Sequence, residues 1–94
     1  MSTAWVLAGH GSHQKAETAG IVWEYVDALR ARGAADEITA AFWMEQPAFA
    51  EVLATLASDT IIVVPMFTGA GYFSERIIPA AMQPSPGGRR LVIT

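Results

Sequence analysis

The stretch Thr60-Ile61-Ile62-Val63-Val64 is a continuous run of β-branched side chains. With apolar groups on both sides of the pleat it cannot turn one face to water, so it predicts an interior strand of a parallel sheet, covered on both faces. Parallel strands need crossover connections of a dozen or more residues, and the sequence provides them. Ala4 to Ala8 reads as a first strand. A helix follows from about Lys15 to Arg32, with Ala19, Val22, Val26 and Leu29 at helical spacing and Gly33 placed to end it. Ile38 to Trp43 reads as a second strand. Pro47 then opens a second helix, whose Phe49, Val52, Leu53 and Leu56 make a core-facing stripe. Beyond the β-branched run, residues 66–72 read as a loop and Phe73 to Met82 as a short helix. Residues 83–88 form a turn and Leu91-Val92-Ile93 a fourth strand.

The β-α-β-α-β-α-β alternation specifies the α/β class: a parallel four-stranded sheet flanked by helices, with right-handed crossovers. Every strand then ends at the same edge. Strand order 2-1-3-4, the flavodoxin-like order, reverses between the first and third strands and opens a crevice there. Three segments meet at that edge: His10 to His13, Glu45, and Met66 to Phe73.

Ninety-four residues predict one domain spanning 1–94, which buries only roughly 60–65% of its unfolded surface. The chain is 52% hydrophobic and 16% charged, apolar enough that a homodimer covering part of the surface is expected. Net charge is −3, and Lys15, Arg30, Arg32, Arg76, Arg89 and Arg90 are scattered, which argues against a nucleic-acid partner. There is no cysteine, so disulfides, thiolate metal sites and a cysteine nucleophile are excluded from this sequence. The first apolar run has no basic flank and is too short for a signal peptide or a membrane span, which predicts a cytoplasmic protein.

The first strand stops at Gly9-His10-Gly11-Ser12-His13. An imidazole there can bind a divalent metal or act as a base near pH 7, and flanking glycines let the backbone approach a bulky ligand. A turn histidine that merely caps local structure is the competing reading.

Taken with Glu45-Gln46-Pro47, Val64-Pro65-Met66-Phe67, Ala70-Gly71-Tyr72-Phe73 and Ile78-Pro79, the Gly9-His10-Gly11-Ser12 element resembles the sirohydrochlorin chelatases, the CbiX/SirB-type class II family. The resemblance runs from residue 4 to residue 82. It implies a chelatase-like fold, homodimeric in short members. It also implies ATP-independent insertion of Co²⁺, Fe²⁺ or Ni²⁺ into a tetrapyrrole of cobalamin or sirohaem synthesis. The metal is then a substrate, with no tightly bound cofactor. The sequence departs from the family pattern twice. Phe73 stands where the family usually carries a second metal-binding histidine, leaving His13, or water with Glu45, to complete the shell. Short members also continue into a loop and a last helix, whereas this sequence stops at Thr94.

Metal insertion requires stripping water from the ion, removing two pyrrole N–H protons and bending the ring. His10 suits the metal and can take a proton, and Glu45 can accept one. Gly11, Ser12, Gly71, Tyr72 and Phe73 are placed to contact the macrocycle, and Arg76 to meet its carboxylates. Core packing competes for Tyr72 and Phe73 and is preferred for Met66; a solvated helix face competes for Arg76. Trp23, Tyr25 and Trp43 read as packing, and Glu24, Asp27, Arg30 and Arg32 as a solvated face. Two other readings stay open: a catalytically inactive chelatase-like binding or assembly module, and a small phosphate- or nucleotide-binding domain built on Gly69-x-Gly71. The latter lacks a third glycine and a Lys-Ser/Thr pair.

Overall fold

A computed structural model describes residues 2–10, 16–43, 46–66 and 90–93. The elements are β1 (Thr3–Gly9), α1 (Ala16–Ala31), β2 (Glu37–Phe42), α2 (Phe49–Val52) with a 3₁₀ turn over Leu53–Thr55, β3 (Thr60–Pro65) and β4 (Arg90–Ile93). All strand pairs are parallel and the order is β2-β1-β3-β4, as the alternation predicts. The expected loop, helix and turn between residues 67 and 89 lie outside the described residues.

The sheet has two apolar faces because alternate residues of β1 point opposite ways. Ala4, Val6 and Ala8 join Ile61, Val63, Phe49, Val52, Leu53 and Leu56 on the α2 face. Leu7 joins Ile38, Ala40 and Phe42 with Ala19, Val22 and Val26 of α1 on the other. The β-branched run is an interior strand. Ile61 and Val63 are fully buried on the α2 face, whereas Ile62 and Val64 are only half-buried, so among the described residues the cover expected on both faces is complete on one.

Helix ends follow local chemistry. At the end of α1, Gly33 adopts φ 63°, its N–H donates to Arg30 O at 3.0 Å, and Ala34 N–H donates to Leu29 O at 3.2 Å. This paired closure uses the left-handed conformation that glycine adopts without steric cost. The second helix begins at Phe49, two residues later than Pro47 predicts. Phe42 N–H donates to Pro47 O at 2.8 Å and Ala48 bridges to Phe42, which keeps residues 47 and 48 extended beside β2. The Glu51 carboxylate then accepts from Ala48 N–H at 3.0 Å, satisfying a donor at the helix start. Thr55 Oγ1 donates to Val52 O at 2.7 Å and Leu56 is already extended, so the helix stops after one turn. The Phe49, Val52, Leu53 and Leu56 stripe is buried nonetheless.

Arg30, expected on a solvated face, donates from Nε to Ile38 O at 2.8 Å and lies 4.0 Å from Asp27, tying the end of α1 to the start of β2. Around that same amino edge, Asp36 Oδ2 accepts from Thr3 N–H at 2.8 Å and Ser2 Oγ from Asp59 N–H at 3.1 Å. Glu37 Oε1 accepts from Ala57 N–H, Ser58 N–H and Ser58 Oγ–H at 2.9, 2.8 and 2.6 Å. Ser58 is buried, so removing this acceptor leaves its donors without compensation. Glu37→Ala is expected to lower stability by about 1.5–3 kcal/mol, with Glu37→Gln costing less; urea denaturation midpoints check both.

Candidate active site

The carboxyl edge of the sheet is assembled by backbone hydrogen bonds that continue the ladders past the strand ends. Trp43 N–H donates to Gly9 O at 3.1 Å and Met66 N–H donates to Ala8 O at 2.8 Å. The last residue of β1 therefore has the chain leaving β2 on one side and the chain leaving β3 on the other. His10 is the next residue and is solvent-exposed. It occupies the place foreseen for it, at the carboxyl end of β1 where the strand order reverses. Gly11, Ser12, His13, Glu45, Gly71, Tyr72, Phe73 and Arg76 lie outside the described residues. Among the described residues, no group of three or more His, Cys, Asp and Glu side chains is gathered as a metal cluster.

Gly9 has a different role from the ligand clearance expected of it. A Cβ built on Gly9 would lie 3.2 Å from Cδ1 and Cε1 of Phe42 and from Cγ2 of Val22. The open side of this glycine thus faces the α1 core, where the Phe42 ring packs against Trp23 at a centroid distance of 6.0 Å. Its hydrogen lets α1 and the end of β2 close around the residue that precedes His10.

Two residues read as packing from sequence are exposed at this edge: Trp43 at 45% and Met66 at 38%. β2 ends at Phe42, one residue earlier than expected, and Ala48 forms an isolated parallel bridge with that last strand residue. Trp43 is therefore the first residue beyond the strand. Met66 borders an apolar groove of about 360 Å³ that also touches Trp5, Leu7, Tyr25, Leu29 and Val64. Tyr25 is 53% exposed along the rim, and α1 packs over β2 and β1. Strand alternation could not reveal these exposures, because it assigns faces within a strand and is silent at the first residue past its end. Among the described residues no helix is long and apolar enough to cross a membrane.

Comparison with known proteins places this geometry in context. The CbiX family model matches residues 4–90. A probable sirohydrochlorin cobaltochelatase of Halobacterium salinarum is 44% identical over 80 residues, which are 85% of this chain and 27% of that protein. A crystal structure from Deinococcus radiodurans, described as a multi-domain protein with structural similarity to chelatases and two additional novel domains, aligns with a TM-score of 0.88 at 32% identity. That alignment covers 99% of this chain and 24% of that one. The chain thus spans about a quarter of the length of the relatives it matches.

Crowding at Gly9 gives a direct test of the packing. Gly9→Ala is expected to destabilise the fold by roughly 1–3 kcal/mol, the cost of forcing a methyl into a filled core. Pairing it with Val22→Ala, which removes one of the three close atoms, should recover part of the loss in thermal unfolding.

Proposed function

The chain belongs to the CbiX family, and from that premise we propose that it inserts a divalent metal into sirohydrochlorin or a related tetrapyrrole without ATP, in cobalamin or sirohaem biosynthesis. Co²⁺ is the first candidate among Co²⁺, Fe²⁺ and Ni²⁺, since the Halobacterium relative is named for cobalt. The observation that carries the reading is the exposed imidazole of His10, set at the carboxyl end of an interior strand between two hydrogen-bonded strand ends.

Insertion exchanges two pyrrole N–H protons for the metal ion, so the site must both hold a cation and take up protons. His10 binds the incoming ion as a neutral imidazole, a donor suited to borderline divalent metals, and can also receive a proton. Glu45 accepts the second and stabilises the positive charge that builds up as the ion enters. His13 or water completes the metal's shell. Gly11, Ser12, Gly71, Tyr72 and Phe73 contact the macrocycle, and Arg76 meets its carboxylates. No tightly bound cofactor takes part; the metal is a substrate. The reading also takes residues 1–94 as a single chelatase-like domain acting in the cytoplasm as a homodimer. The apolar groove beside α1 supports association with a second copy. A second reading, an inactive chelatase-like binding or assembly module, is favoured by one feature: Phe73 at the position of the family's usual second histidine.

Following tetrapyrrole absorbance after mixing sirohydrochlorin with Co²⁺ separates the two. His10→Ala is expected to abolish insertion with an unchanged circular dichroism spectrum, and Glu45→Gln to slow insertion more than it weakens metal binding. Phe73→His should raise affinity for Co²⁺ or Ni²⁺. Equal background rates for the wild type and His10→Ala would leave the inactive module as the function.

A further inference from the structure

Among the described residues, four large hydrophobic side chains are exposed: Ile21, Tyr25, Trp43 and Met66. The last two are the first residues beyond β2 and β3, the strands on either side of β1. An exposed tryptophan in a loose loop would mean little, since single surface hydrophobics are ordinary. Trp43 differs because its backbone is bonded to Gly9, the residue before His10, and Met66 is bonded in the same way to Ala8. Neighbouring strands lie about 4.8 Å apart, so the two Cα atoms stand roughly 10 Å from each other with His10 leaving the strand between them.

They also approach from opposite faces of the sheet. The Trp43 ring packs toward Phe49 of the α2 face, at a centroid distance of 6.3 Å and an interplanar angle of 39°. Phe49 is buried, so one side of the indole rests on the core while nearly half the residue stays open to solvent. Met66 lies on the α1 side, bordering the groove with Leu7 and Val64. The edge around His10 is thus flanked by an anchored aromatic plane on one side and a pliable thioether on the other. A soft, unbranched methionine adapts to an irregular ligand surface, whereas an indole offers a large rigid face to a conjugated ring.

We propose that Trp43 is a substrate-binding residue whose indole face carries the tetrapyrrole beside His10, with Met66 closing the opposite side. This rests on the chelatase reading, which supplies a flat conjugated ring as the ligand beside His10. Trp43 binds and orients; the metal and proton chemistry stays at His10.

Steady-state insertion of Co²⁺ into sirohydrochlorin tests it. Trp43→Ala is expected to raise KM for sirohydrochlorin by roughly tenfold, the size of one lost aromatic stacking contact, with kcat within about twofold. Trp43→Phe should restore most of the affinity, and Met66→Ala should give a smaller rise than Trp43→Ala. In a Trp5→Phe/Trp23→Phe background Trp43 is the sole tryptophan, and its fluorescence should be quenched by metal-free sirohydrochlorin with the affinity seen in absorbance titration. A purely structural tryptophan would lower thermal stability in Trp43→Ala while leaving KM for sirohydrochlorin unmoved, and that result overturns the proposal with the chelatase reading intact. Failure of the wild type to bind sirohydrochlorin overturns both.

Discussion

Everything at the candidate site depends on the double pairing of β1. The strand hydrogen-bonds to β2 through Ala4–Gly9 and to β3 through Thr3–Ala8, so its backbone is saturated on both sides. Its small residues make this possible: Ala4 and Ala8 admit the α2 layer, and Gly9 admits Phe42 and Val22. Because a ladder can continue wherever donor and acceptor stay in register, the pairing extends to Trp43 and Met66. A residue following such a strand inherits its rigidity. His10 is a loop residue in name, yet it begins one bond away from Gly9, the last residue of a strand paired on both sides.

Much of this fold was legible in the sequence because its strongest signals come from burial. The β-branched run at residues 60–64, the helical spacing of Ala19, Val22, Val26 and Leu29, and the placing of Gly33 all report which side chains must leave water. The structure bears out the helical stripe and the Gly33 stop, and it makes the run an interior strand that is fully buried on one face, at Ile61 and Val63. Features set by single hydrogen bonds were not legible. Pro47 is a fair signal for a helix start, but the carbonyl of that residue is engaged by Phe42 N–H, which delays the helix to Phe49. Arg30 looked like one more solvated charge until its Nε found a strand carbonyl. Trp43 and Met66 were assigned to packing because hydrophobicity alone cannot tell a core residue from a rim residue. At the site, the position of His10 followed from topology; side-chain roles did not.

Family membership and local structure answer different questions for this chain. The CbiX match spans residues 4–90 and so takes in the four strands as far as Arg90 and the glycine-flanked histidine. The backbone bond that sets Trp43 beside the residue preceding His10 is instead read from the local structure.

The polar locks of the sheet, formed by Ser2, Asp36, Glu37 and Arg30, gather at its amino edge, while His10 lies at the carboxyl edge. The seven residues of β1 hold these ends roughly 23 Å apart. Sites at that separation with no shared partners respond to substitution nearly independently. Side chains beside His10 can therefore change without loosening the fasteners of the fold. A lineage built on this scaffold is free to alter the side chains around His10 while keeping the same frame throughout.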